Sequence, residues 1–252
     1  MLIKRMIKES KINSSNINPI YSDKTYLTNN NDWHQLDSVW KALQINNILK
    51  KNNVTPLTVV DIGCGSGDII YKLSKIYEKT KFTGFEVSPV AHKIAKKKNN
   101  KNIKFKLLNF KSQKKNSAWN EVKYDCLLCI DVFEHVEDYI FFLKSIKDKA
   151  KYKVFHVPLD LNLLTALRTQ VLIWARYFLG HLHYFNKETA LETLKYCRYD
   201  IIDYYITAPI FISKPTTIKQ FLVKWSAKFI YYFSKDLAAK IFYGFSLIIL
   251  TK

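Results

Sequence analysis

Leu57-Thr58-Val59-Val60-Asp61-Ile62-Gly63-Cys64-Gly65-Ser66-Gly67-Asp68 is the stretch that decides the fold. Val59, Val60 and Ile62 are β-branched and apolar, as a buried strand requires. The Gly-x-Gly-x-Gly turn over 63–67 lets the backbone approach a bound nucleotide-like ligand closely. Helical periodicity resumes in DIIYKLSKIY, over about 68–77. In the dinucleotide-binding spacing G-x-G-x-x-G the third glycine would fall on Asp68, whose carboxylate repels a pyrophosphate. The turn therefore points away from dinucleotides.

Working outward, KFTGFEV (81–87) is a second strand, and it ends in an acid, Glu86. A carboxylate placed about twenty residues beyond the glycine turn can accept hydrogen bonds from both ribose hydroxyls. Asp61 lies on the strand just before the glycines. Two acids and no phosphate site suit a cationic nucleoside such as S-adenosylmethionine, with Glu86 on the ribose and Asp61 near the charged amino-acid end. Gly63, Cys64, Gly65, Gly67 and Val87 are then expected to line the cofactor site.

Further strands are expected at 102–110, 124–132, 152–158, 199–208 and 243–251, each bounded by helical segments. Pro89 opens one helix at its first turn, and Asn186 caps another. Residues 159–180 and 215–240 read as helical insertions, and 1–30 as a loose polar arm before a single domain over 31–252. Strands alternating with helices give an α/β, doubly wound parallel sheet.

Composition narrows the classes. The chain has 252 residues, enough for a full core, with 40 Lys+Arg against 21 Asp+Glu. Only four of the basic residues are Arg, the side chain suited to bidentate phosphate and base recognition. The charge favours polyanions or anionic membranes without specificity. No stretch reaches the roughly 18 apolar residues of a membrane span. MLIKRMIKES lacks an apolar signal core, so a cytoplasmic location, membrane-peripheral at most, is expected. Cys126 and Cys129 have a C-x-x-C spacing, but on a strand residues three apart face opposite sides, which excludes a shared metal or redox role.

DIGCGSG, the acid of FTGFEVSP and CIDVFEHVED resemble motifs of the class I S-adenosylmethionine-dependent methyltransferases, over about residues 55–160. NDWHQLDSVWKALQI, HVPLDLN and GHLHYFNKETALETLK resemble a bacterial methyltransferase-domain group. The resemblance implies a Rossmann-like seven-stranded sheet of order 3-2-1-4-5-7-6 with its last strand antiparallel. It also implies an adenine contact at Asn109 and Phe110, where the family usually has Asp; Asn can still accept the adenine amine.

In such sheets ligands bind outside the carboxyl ends of the strands, where strand order reverses. That places Asp131, Glu134 and His135 beside the methyl donor, with His156 on the same edge. His135 and His156 are the candidate bases for a hydroxyl or amine acceptor. Asp131, Glu134 and His135 also have the donor types of a divalent-ion site, and resemble an acid-x-x-Glu-His site of some quinone-biosynthesis methyltransferases. His181, His183 and Tyr184 are candidates for the wall of an acceptor pocket. The expected acceptor is a small molecule or a glycan, free or lipid-linked.

Two rivals stand beside this reading: an RNA methyltransferase, suggested by ten Lys and no acid between Val87 and Asn120, and a non-catalytic cofactor-binding scaffold. Ile218, Phe221, Leu222, Trp225 and Phe229 form a helical stripe with Lys219, Lys224 and Lys228 around it. This segment reads as either a lid on the sheet or a basic amphipathic helix on an anionic membrane.

Overall fold

The computed structural model of the protein describes residues 35–108 and 123–252. The arm expected at 1–30 and the adenine contacts expected at Asn109 and Phe110 lie outside the described residues.

Helix α1 (Gln35–Lys51) leads into β1 (Thr58–Ile62), α2 (Asp68–Ile76), β2 (Lys81–Glu86), α3 (Pro89–Lys96) and β3 (Ile103–Leu107). Beyond the gap come β4 (Tyr124–Ile130), α4 (Tyr139–Ile146) and β5 (Ala150–Pro158). The insertion folds as α5 (Leu163–Leu167) and α6 (Gln170–Trp174), then a π turn (Ala175–Leu179) closed by Gly180 at φ 81°. The chain ends with α7 (Lys187–Tyr196), β6 (Ile201–Thr207), α8 (Ile218–Phe233), α9 (Lys235–Ile241) and β7 (Ser246–Thr251).

The seven strands form one sheet of order β3-β2-β1-β4-β5-β7-β6, the order the resemblance implies. β7 runs antiparallel to both neighbours, and the other pairs are parallel. Successive residues face opposite sides, which is why the central strands are apolar almost throughout. Val60, Leu127, Cys129, Phe155 and Ile249 enter one core. Val59, Cys126, Leu128, Val154 and Ile248 enter the other. Cys126 and Cys129 thus lie in different cores, as their strand spacing requires.

The segment expected as one helix over 215–240 is two. Ser234 is extended at φ −151°, ψ 108°, and its side chain caps α9 by accepting from the Leu237 amide. The third strand stops at Leu107.

Candidate functional site

Strand β1 ends at the glycine turn, on the carboxyl edge of the sheet. The Gly63 and Cys64 amides both donate to the Phe85 carbonyl, at 2.8 and 3.0 Å, which ties the turn to β2. Gly65 and Gly67 are left-handed, at φ 54° and 78°, a conformation that costs a residue bearing a Cβ roughly 1–2 kcal/mol. Their surroundings differ. A Cβ on Gly67 would run into the Phe105 ring, whereas a Cβ on Gly65 would meet nothing within 4 Å among the described residues. Gly67 serves packing, and the crest at Gly65 borders open space. Cys64 is buried in the core, so it offers the turn only its backbone.

Glu86 closes the turn from the side. Its Oε2 accepts from the Gly65 amide at 2.7 Å, and its Oε1 accepts from Val87 and Ser88 at 2.9 and 2.8 Å. Burial pushes its carboxyl up, and the three amides offset part of that. Asp61 is also buried; burial and then the charge of Glu86 push its carboxyl well above the ordinary value. Two buried acids that oppose each other's ionisation are returned to the charged form by a cation placed beside them. Asp68 is held by Ser66 Oγ at 2.6 Å and by Lys98 Nζ at 3.3 Å, at the position a dinucleotide fingerprint would give to glycine.

Across the strand-order reversal, β4 ends in a left-handed Asp131, φ 53°. Its Oδ1 pairs with His156 Nδ1 at 2.6 Å and its Oδ2 with Lys41 Nζ of α1 at 2.7 Å. Burial opposes ionisation, but the charges of His156 and Lys41 outweigh it and hold this carboxyl far below the usual range. His156 is 2% exposed, and its Nε2 is 3.2 Å from the Thr207 hydroxyl. Both its ring nitrogens are engaged, so against expectation it presents no open nitrogen to an acceptor and instead positions Asp131. Beyond Thr207 lies a cavity of about 470 Å³, lined by Trp40, Tyr205, Thr207, Phe211 and Tyr231 among others.

A second cluster forms at the short 3₁₀ turn Phe133–His135. The Glu134 carbonyl accepts from the Leu182 and His183 amides, at 2.8 and 3.1 Å, and docks the GHLHYF segment onto this turn. His135 Nδ1 lies 3.0 Å from the Gly180 carbonyl. A carbonyl can only accept, so Nδ1 carries the hydrogen and the lone pair is on Nε2. His181 Nδ1 pairs in the same way with Asp160 Oδ2 at 2.5 Å. The His135 and His181 rings stand edge to face, 4.8 Å apart.

Glu134 is 1% exposed; neither of its carboxylate oxygens has a hydrogen-bond partner among the described residues, and Oε1 lies 3.8 Å from His135 Nε2. Burial and the charge of Asp131 push its carboxyl well up. Burial and the neighbouring His181 bring His135 down to about 4. Glu134, His135 and His181 place one ligand atom each within 4.8 Å of one another. The acid-x-x-Glu-His grouping expected from sequence is thereby redrawn: Asp131 is taken up by Lys41 and His156, and His181 stands as the third donor.

His183 and Tyr184 do not join this cluster. His183 Nε2 bonds the Val136 carbonyl at 3.0 Å, and the Tyr184 hydroxyl donates to the Leu172 carbonyl at 2.7 Å. Lys41, Asp160 and Thr207 were not singled out from sequence. Each meets its partner across a long sequence separation, and no local spacing signals such a pairing.

The sequence profile of the family described as a methyltransferase domain matches residues 33–195. Among curated proteins no sequence match is found. Among solved structures, the plantazolicin methyltransferase BpumL in complex with SAH is similar at 19% identity and TM-score 0.60, covering 100% of this chain and 99% of that one. The magnesium protoporphyrin IX methyltransferase (ChlM) from Synechocystis PCC 6803 with bound SAH is similar at 15% identity and TM-score 0.55, covering 99% and 91%. A putative sarcosine dimethylglycine methyltransferase from Galdieria sulphuraria is similar at 16% identity and TM-score 0.57, covering 84% of each chain. At such identities these likenesses concern the fold. The profile match spans well over half of the sequence, and by it the chain belongs to the methyltransferase-domain family, built on the class I methyltransferase fold.

Proposed function

We propose that the protein transfers a methyl group from S-adenosylmethionine to a hydroxyl or amine of a small-molecule or glycan acceptor. The observation that carries this reading is the pair of buried acids, Asp61 and Glu86, at a glycine turn whose crest borders open space. The residues fit the group. A carboxylate has about four lone-pair sites, and three backbone amides occupy Glu86, which leaves capacity for a ribose hydroxyl. Asp61 favours the positively charged end. When bound, S-adenosylmethionine supplies a sulfonium-activated methyl whose leaving group needs no proton.

The chain's own task is then to position the acceptor, exclude water and take its proton. His135 is oriented by Gly180 for that role, with the lone pair on Nε2. The buried Glu134 carboxylate would stabilise the imidazolium formed. His181 is fixed beside it by Asp160. A second reading is favoured by the two buried oxygens of Glu134, which have no hydrogen-bond partner among the described residues: the same three side chains form a ligand set for a borderline divalent ion. Methyl transfer from labelled S-adenosylmethionine into panels of hydroxyl and amine acceptors tests the first reading, with His135→Ala as control. Dialysis against a chelator separates the two, since only the metal reading expects activity to fall and to return on adding zinc or magnesium.

A further inference from the structure

Helix α8 has its apolar residues on the wrong side for a protein in water. Ala227 is buried against the core, and Val223, Ile230 and Tyr231 pack beside it. On the opposite face Ile218, Leu222, Trp225 and Phe229 are 80%, 55%, 61% and 57% exposed. Phe221, Tyr232 and Phe233 extend the same face at 54%, 84% and 72%. At 3.6 residues per turn, these seven side chains fall within an arc of roughly 120° centred opposite Ala227. Lys219 borders the arc on one side, and Lys224 and Lys228 border it on the other.

Isolated exposed hydrophobics are ordinary, but a continuous apolar stripe facing solvent marks a surface that is covered in use. Charge identifies the cover. From Tyr204 to Lys235 the chain has five Lys and no acidic residue. The helix has 16 residues, and no described helix is long and apolar enough to cross a membrane. Such a helix, with aromatic and aliphatic side chains outward and lysines along its borders, suits the headgroup–acyl boundary of an anionic bilayer. A nucleic-acid surface would call for arginine and polar groups at the centre of the patch, where this face has Ile218, Leu222 and Phe229.

We propose that α8 is a membrane-docking element that lays its outer face on anionic lipid. The test uses the full chain with vesicles of phosphatidylcholine, alone or mixed with phosphatidylglycerol. Expected are co-sedimentation with the anionic vesicles that weakens with salt, and a blue shift of tryptophan emission that is lost in Trp225→Phe. Leu222→Gln combined with Phe229→Gln should weaken vesicle binding at least tenfold while leaving the thermal unfolding of the free protein unchanged, because both side chains are exposed. Lys219→Glu with Lys228→Glu should abolish the preference for anionic vesicles. Equal binding to neutral and anionic vesicles, or unchanged binding of the Leu222/Phe229 variant, overturns the proposal. So does a dimer in sedimentation that this variant dissolves, or RNA binding that outcompetes the vesicles.

Discussion

The Gly65 amide donates to Oε2 of Glu86 at 2.7 Å, so the crest of the glycine turn and the acid at the end of β2 form one unit. The bond spans 21 residues of sequence. It holds the buried Glu86 carboxylate against the crest of the turn.

Of the three left-handed glycines in the turn, Gly65 and Gly67 should respond differently to alanine. Gly65→Ala has room for its Cβ, so stability should drop only by the backbone cost of about 1–2 kcal/mol. Cofactor affinity should nevertheless fall at least tenfold, because the new methyl enters the ligand's space. Gly67→Ala meets the Phe105 ring and should lose about 1–3 kcal/mol more to overpacking. Denaturant titration and calorimetry on the two variants check this ordering.

Asp131→Asn keeps a residue that tolerates the left-handed backbone but removes the charge between Lys41 and His156. With Lys41 only 15% exposed, leaving its ammonium unpaired should cost about 3–5 kcal/mol at neutral pH. The folded-state value of Asp131 is depressed, so the stability it contributes is present above the ordinary carboxylate pKa and lost as pH falls through the folded value. The deficit of the variant should therefore shrink in acid, as unfolding curves at about pH 7 and about pH 3 would reveal.

Glu134 has the opposite sign. Its carboxyl is pushed up in the folded protein, so stability falls as pH rises above the ordinary carboxylate range and the buried group is forced to ionise. Glu134→Gln should raise neutral-pH stability by about 1–3 kcal/mol, with the gain fading towards about pH 4. Turnover should drop in the same variant. A loss of stability at neutral pH would show that the carboxylate already has a stabilising partner.

His135→Ala should reduce kcat by about 10²–10⁴-fold and leave cofactor affinity intact. Because burial and His181 bring this imidazole down from 6.5 to about 4, kcat/KM in the parent should hold through mildly acid conditions. It should fall only as pH approaches that lower value. The unfolded chain binds the proton first as pH drops, so stability declines between about 6.5 and about 4, ahead of the fall in kcat/KM. A break in the profile near 6.5 would assign the limiting proton transfer elsewhere.

The individual strands and the glycine turn were legible in the sequence because local signals encode them, whereas the strand order followed from the family resemblance. Val59 enters one core and Val60 and Ile62 the other, and the glycines follow at once. The same two-residue period sends Cys126 and Cys129 into different cores. His135 could be placed on the right edge because it follows β4 directly. The partners of these residues were not legible. His156 reads as a free imidazole until Thr207, fifty-one residues on, is seen against its Nε2. Likewise, Asp131 reads as a ligand until Lys41 from the first helix reaches it. The break at Ser234 was also missed, since a serine inside a helical pattern looks the same whether it caps a new helix or merely sits within one.

The most direct measurement is calorimetric titration of the full chain and of Glu86→Ala with S-adenosylhomocysteine, run beside the same titration with NAD. Saturable one-site binding to the parent, reduced at least a hundredfold by the substitution, with no heat from NAD, is the predicted result. Undiminished affinity in Glu86→Ala, or binding of NAD in preference, would contradict the assignment of the glycine turn to an adenosyl sulfonium.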